Sequence, residues 1–124
     1  MLPQVLILGT GIAGLSAALK FAEHENVIEV TLVSKDQAHE GATRYAQGGI
    51  ASVWSNQDSF EEHVRDTLTA GAGLCDPLIV DICVREGPAR VRELIEWGVR
   101  FTAHGGSDYD LHQEGGHSKR RILH

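Results

Sequence analysis

The chain has 124 residues, enough for one small domain or part of a larger one, and it can hide roughly two-thirds of its unfolded surface. Hydrophobic residues at 42% and charged residues at 23% place it among ordinary globular proteins, and a net charge of −6 excludes a basic field for nucleic acid or anionic lipid. No apolar run nears the ~20 residues of a bilayer span, Met1 to Leu8 lacks the basic start of a secretory signal, and Cys75 and Cys83 form no C-x-x-C motif; the expectation is a reduced, cytoplasmic protein with no membrane insertion.

Val5-Leu6-Ile7-Leu8 is a continuous apolar run, suited to a parallel strand buried on both faces. Ile12, Leu15, Leu19 and Ala22 then recur at helical spacing and predict a helix over about 12–24. Glu29 to Val33 alternates and is β-branched, a second strand. Residues 5–33 therefore read as β-α-β with parallel strands. Residues 34–55 hold no helical period, and 41–49 read as a glycine loop. Asp58 and Ser59 each precede a Glu by three residues, a capping-box pattern that opens a helix over 58–72. Phe60, Val64 and Leu68 share one face of it, and Gly71 and Gly73 end it. Asp76-Pro77 is an N-cap with Pro at the first helical position. Gly87-Pro88 divides the helical stretch after it into helices over 77–86 and 88–97, with Gly98 as the residue past the C-cap. Val99 to Thr102 and Arg121 to Leu123 predict short strands. Residues 103–118 are too polar for a core.

The glycines cluster at 9/11/14, 41/48/49, 71/73, 105/106 and 115/116, as in a chain built around a ligand. The first cluster, Gly9-Thr10-Gly11-Ile12-Ala13-Gly14, is G-x-G-x-x-G between a strand and a helix, the context in which this pattern binds a dinucleotide. Gly9 makes the turn, Gly11 lets a pyrophosphate reach the backbone, and Gly14 lets helix and sheet pack closely. The amides at the helix start then face the phosphates. At the end of the second strand, where an NAD site carries Asp or Glu for the ribose, this chain has Ser34-Lys35. Lys35 cannot accept a hydrogen bond. Two options stay open at this point: NADP with Lys35 on its 2′-phosphate, or FAD held by the backbone and by Ser34 and Lys35.

Gly41-Ala42-Thr43-Arg44-Tyr45-Ala46-Gln47-Gly48-Gly49-Ile50-Ala51 resembles the flavin-binding loop of the succinate dehydrogenase/fumarate reductase flavoprotein family. The runs Asp66-Thr67-Leu68-Thr69-Ala70-Gly71-Ala72-Gly73-Leu74-Cys75-Asp76 and Glu114-Gly115-Gly116-His117-Ser118-Lys119-Arg120-Arg121-Ile122-Leu123-His124 carry the resemblance to the L-aspartate-oxidising branch of that family. It implies an α/β, incomplete Rossmann-like FAD-binding domain, of which residues 1–124 are the N-terminal part, without the capping domain and without activity alone. It implies FAD as cofactor, with Gly9 to Gly14, Ser34, Lys35 and Ala42 to Gly49 around it. The histidine that joins flavin covalently in the dehydrogenases aligns with Ala42, so attachment is expected to be non-covalent; His39 lies three residues out of register. By the same resemblance, the intact enzyme oxidises L-aspartate to iminoaspartate, dioxygen or fumarate re-oxidises the flavin, and the product enters quinolinate and NAD synthesis with quinolinate synthase as a partner.

Gly48-Gly49 suits close approach of backbone amides to an isoalloxazine ring, and Thr43 and Gln47 suit hydrogen bonds to it. The resemblance makes Glu114 the group that orients the α-amino group of L-aspartate. Adjacent Arg120 and Arg121 point to opposite faces of a strand, so at most one faces a pocket. The seven histidines form no ligand spacing, and no metal is expected. Cys83 on an apolar helix face, and Cys75, read as buried, inert thiols. Two other readings remain: a fumarate reductase or succinate dehydrogenase relative, and an NADP-binding regulatory module.

Overall fold

The computed structural model describes residues 1–24, 26–46, 49–103 and 109–124. The chain forms two units, Met1–Gln47 and Gly48–His124. In the first, β1 (Gln4–Leu8) and β2 (Glu29–Val33) are parallel, with Gln4 beside Glu29 and Leu8 beside Val33, and α1 (Ile12–Ala22) connects them. The expected βαβ unit is present. Gly9 donates its N–H to the Val33 carbonyl at 2.8 Å and holds φ at +109°, a conformation that L side chains rarely adopt. A Cβ on Gly14 would collide with the Gly9 carbonyl and lie 3.4 Å from Ile7 Cγ2, so helix and strand touch through glycine.

Burial on both strand faces is not what the structure shows. Val5, Ile7, Val30 and Leu32 are half-covered, while Leu6, Leu8 and Val33 are 61%, 77% and 47% exposed. The helix meets the first strand at Gly14; Ala18 and Phe21 are half-covered, and its stripe of Ile12, Leu15 and Leu19 lies open. A two-stranded sheet with one helix has only one covered face. The loop reading of 41–49 is also corrected: Ala42–Tyr45 is a helical turn, α2. Glu40 explains it, since it accepts from Arg44 Nη1 at 2.7 Å and from the Tyr45 hydroxyl at 2.5 Å and pins the turn from its start.

In the second unit, β3 (Ile50–Ala51), β4 (Leu111–His112) and β5 (Ile122–Leu123) form an antiparallel sheet with β5 in the middle. Two-residue strands carry no readable alternation, and of the three only β5 is visible in the sequence. The predicted strand at 99–102 does not form. Thr102 donates to the His124 carbonyl at 2.6 Å and accepts from Asp110 at 3.0 Å, and among the described residues one bridge joins Ala103 and Tyr109. Residues 104–108, including His104, Gly105 and Gly106, lie outside the described residues.

Between β3 and β4 the chain forms two helices, α3 (Phe60–Ala70) and α4 (Pro77–Glu96). Ser59 caps α3 by accepting from the Glu62 amide at 3.2 Å, and Asp76 caps α4 through Leu78 and Ile79. The predicted break at Gly87-Pro88 does not occur. Gly87 has no Cβ to clash with the proline ring, and Val84, Pro88 and Val91 form one buried stripe along a continuous helix. Cys83 is exposed, not buried: it sits about 100° around the helix from Val84, on the open side with Leu78, Ile79 and Ile82. Cys75 is half-buried, and its Sγ occupies the space that a Cβ on Gly71 would need.

The core of this unit is Val84, Val91, Ile122 and Leu123, yet its largest fully buried side chain is Arg121. Arg121 Nε and Nη2 donate to the two oxygens of Asp58 at 2.9 and 2.7 Å, and Nη1 donates to Asp66 Oδ2 at 2.9 Å. The same Asp66 oxygen accepts the backbone N–H and the hydroxyl of Ser118 at 2.8 and 2.7 Å. Burial pushes the Asp66 carboxyl up, but the Ser118 and Arg121 bonds outweigh that and hold it below its ordinary value. Beside this triad lies His63, buried, with Nδ1 lacking a hydrogen-bond partner among the described residues and its ring 5.8 Å from that of His117. Burial, then the Arg121 charge, lower its proton affinity.

Removing one member of a buried ion cluster strands the others. In the full-length protein, Asp58→Ala is expected to cost about 3–5 kcal/mol by chemical denaturation, whereas Arg85→Ala, which cuts the exposed pairs with Glu61 and Asp81 and a stacking contact on Phe60, should cost about 1 kcal/mol or less. A stability for Asp58→Ala equal to the parent's would remove Arg121 from the account of the core. The lowered His63 has a definite sign. Unfolded His63 gains a proton below its ordinary value of 6.5 while the folded form does not, so stability falls as pH drops from 7 toward 5.5. Asp66, ordinarily titrating near 3.8, acts only in more acid solution. Thermal melts across this range should show a decline in Tm that His63→Leu flattens; an unchanged slope would contradict it.

Candidate functional site

Unit 1 brings three of the predicted cofactor segments together. The glycine turn places Gly11 at the N-cap of α1, with no carboxylate in the helix's first turn, so the helix start keeps its positive end. The Ile12 amide donates to Thr43 Oγ1 at 3.1 Å, and a Cβ on Gly11 would stand 3.5 Å from that oxygen. Thr43 thus lies against the first amide of α1, from 31 residues away. On the other side, the Thr10 hydroxyl donates to Ser34 Oγ at 3.3 Å. Lys35, just beyond Ser34, is exposed, as is Ala13 on α1. A cavity of about 260 Å³ opens between the turn and α2, lined by Thr10, Leu15, Ala38, His39, Gly41, Thr43 and Arg44.

These residues fit a dinucleotide. The amide now satisfied by a threonine hydroxyl is one that a phosphate oxygen would satisfy more strongly. Nothing larger than hydrogen projects from Gly11 into the approach. Arg44 and Tyr45 are bound to Glu40, and that hydrogen bond raises the proton affinity of the Tyr45 phenol. The part Glu40 plays was not legible, because a single half-buried acid before Gly41 has no pattern of its own. Ala42 is exposed at the start of α2 and offers only a methyl group; Ala46 follows the helix in extended backbone. Gln47 and Gly48 lie outside the described residues.

Unit 2 carries the remaining candidates. A Cβ on Gly49 would collide with the Leu123 carbonyl and the Ile122 side chain, so this glycine has a packing reason within its own sheet. Glu114 stands on a turn after β4 with its side chain 49% exposed, closed by the His117 amide donating to the Glu114 carbonyl at 3.2 Å. The three cations that come after it have separate fates. Lys119 lies 3.6 Å from Glu62, Arg121 is consumed by Asp58 and Asp66, and exposed Arg120 lines a cavity of about 380 Å³ with Gln57, Tyr109, Leu111 and Gln113. The expectation that Arg120 and Arg121 part company holds. Sequence reasoning missed what Arg121 does, since its partners are 55 and 63 residues away. Among the described residues, no three His, Cys, Asp or Glu side chains are grouped to hold a metal ion, and no helix is long and apolar enough to cross a membrane.

The chain is similar to known proteins along nearly its whole length. The L-aspartate oxidase of Yersinia pestis is 51% identical over 125 aligned residues, which take in 98% of this chain and 23% of that protein. The chloroplastic L-aspartate oxidase 2-b of Nicotiana tabacum is 48% identical, over 95% of this chain and 18% of its own length. The chain therefore spans less than a quarter of these relatives. Among solved structures, a quinol-fumarate reductase with menaquinol molecules superposes with a TM-score of 0.89 at 31% identity, covering 100% of this chain and 22% of that one. The Mycobacterium smegmatis Sdh1 complex in the apo form gives 0.86 at 28%, covering 99% and 22%. Of the cofactors that Lys35 left open, these matches take FAD. Residues 4–124 match the FAD binding domain family along almost their whole length, and the chain belongs to that family, with FAD as its cofactor.

Proposed function

We propose that residues 1–124 are the N-terminal part of the FAD-binding domain of a cytoplasmic flavoenzyme that oxidises L-aspartate to iminoaspartate, with dioxygen or fumarate as electron acceptor. The observation that carries this reading is the identity of 43–51% to L-aspartate oxidases over 95–98% of the chain, well above the 26–31% to fumarate reductases and succinate dehydrogenases. In this reading Gly9 to Gly14 carry the pyrophosphate, Ser34 and Lys35 the adenosine ribose, and Ala42 to Gly49 the flavin side. Bound FAD supplies the two-electron oxidising chemistry. The protein's own part is placement. Glu114 pairs with the α-ammonium of the substrate, a charge-assisted hydrogen bond worth about 1–3 kcal/mol. The product's onward use in NAD synthesis, with quinolinate synthase as partner, belongs to the same reading.

Two results test it in the full-length protein. Acid precipitation should release all flavin into the supernatant, because Ala42 offers no atom for a covalent link; flavin retained in the pellet would contradict that. Glu114→Gln should raise KM for L-aspartate by about tenfold, the loss of roughly 1.4 kcal/mol, while leaving fumarate reduction by the reduced enzyme intact, because fumarate has no ammonium to place. Equal loss with both substrates would make Glu114 structural and favour the fumarate reductase reading, which rests on the superposed quinol-fumarate reductase.

A further inference from the structure

The Glu114 carboxylate does not stand alone on its turn. His124 Nε2 lies 3.5 Å from Glu114 Oε1. The His124 ring is in turn met edge-on by His112, with centroids 4.7 Å apart and planes at 83°, and His112 Nε2 lies 3.4 Å from Asp110 Oδ2. The four groups make a row, acid, imidazole, imidazole, acid. Antiparallel pairing builds it: His112 is opposite Ile122, which brings His124, two residues on, diagonally beside it.

Both ends of the Glu114–His124 contact are anchored. His124 follows Leu123, which is wholly buried, and its carbonyl accepts from Thr102. The Glu114 turn is closed by the His117 amide and by Gln113 Nε2 donating to the His117 carbonyl at 2.8 Å, and its far side is tied to Asp66 through Ser118. A glutamate on a turn has three free torsions, and a fixed backbone alone does not choose among its rotamers. The imidazole does so here. Its Nε2 stands 3.5 Å from Oε1.

We propose that His124 is the positioning residue for Glu114, holding its carboxylate in the rotamer that receives an ammonium group; this rests on the proposed role of Glu114 in binding the substrate. His124 does not touch the reacting atoms. Its effect should therefore appear in binding of an amino-bearing dicarboxylate and be absent for the same skeleton without nitrogen.

The test uses full-length, flavin-loaded enzyme. His124→Phe keeps a ring edge-on to His112 and removes the donor; His124→Gln keeps a donor for Glu114. His124→Phe is expected to raise KM for L-aspartate about 5–10-fold with kcat within about twofold, and to leave KM for fumarate unchanged. His124→Gln should restore KM to within about threefold. In a Glu114→Gln background His124→Phe should add nothing, because the two act as one unit. Should His124→Phe fail to retain flavin, His124→Ala carries the same comparison. Equal effects on L-aspartate and fumarate, no rescue by glutamine, or an undiminished effect in the Glu114→Gln background would each overturn the proposal. A Glu114→Gln enzyme with unchanged KM for L-aspartate would instead remove the reading on which it rests.

Discussion

The second unit is assembled around a buried charge. Arg121 reaches Asp58, two residues before α3, the middle of α3 and, through Asp66, the loop that returns from Glu114. Its own backbone donates to the His112 carbonyl and accepts from Ser52, between β4 and β3. A methionine could fill the same volume but could not fix four segments to one point. A buried ion cluster is weak evidence of stability, since apolar replacement of the whole set is often neutral. Its use here is geometric: bidentate contact with Asp58 and a third bond to Asp66 permit one register of β5 against α3. The turn that bears Glu114 inherits its position from that register.

The first unit works differently. It contains no residue buried within α1 or α2 and is held by backbone pairing between β1 and β2 and by glycine contact between helix and strand. Leu6, Leu8 and Val33 on one sheet face, and Ile12, Leu15 and Leu19 on the outside of α1, are exposed apolar surface of a kind that stable monomers seldom show. Within the proposed reading this surface is where the rest of a relative's length would pack. What the unit already holds is a cradle: a helix start free of carboxylates, a turn without Cβ atoms, and two threonines that tie that turn to the end of β2 and to α2.

The βαβ unit was legible because every level agreed on it: apolar runs of strand length, glycines at three spacings, and a slim helix between. Caps were equally legible, since Ser59 and Asp76 act within four residues of themselves. The failures lie where tertiary contact overrode local signals. Gly87-Pro88 reads as a break, but the stripe of Val84, Pro88 and Val91 buries enough surface to carry the helix through. Cys83 is one residue off that stripe, and one residue is the difference between core and solvent. In the candidate site, Thr10, Gly11 and Ser34 are singled out by motif and position. Thr43 was found only through family resemblance, although its hydroxyl on the Ile12 amide is a plain physical contact. Arg121 with Asp58 and Asp66, and His124 with Glu114, depend on which strands pair, and two-residue strands leave no trace in a single sequence.

The central claim is that the glycine turn, Ser34 and Thr43 form one cradle for the pyrophosphate and ribose of FAD. A crystal structure of the full-length protein with bound FAD tests it most directly. The account predicts a pyrophosphate oxygen within hydrogen-bond distance of the Gly11 or Ile12 amide, the ribose beside Ser34, and no covalent bond from Ala42 or His39 to the flavin. A pyrophosphate seated elsewhere, with the Gly9 to Gly14 turn bare, would contradict it.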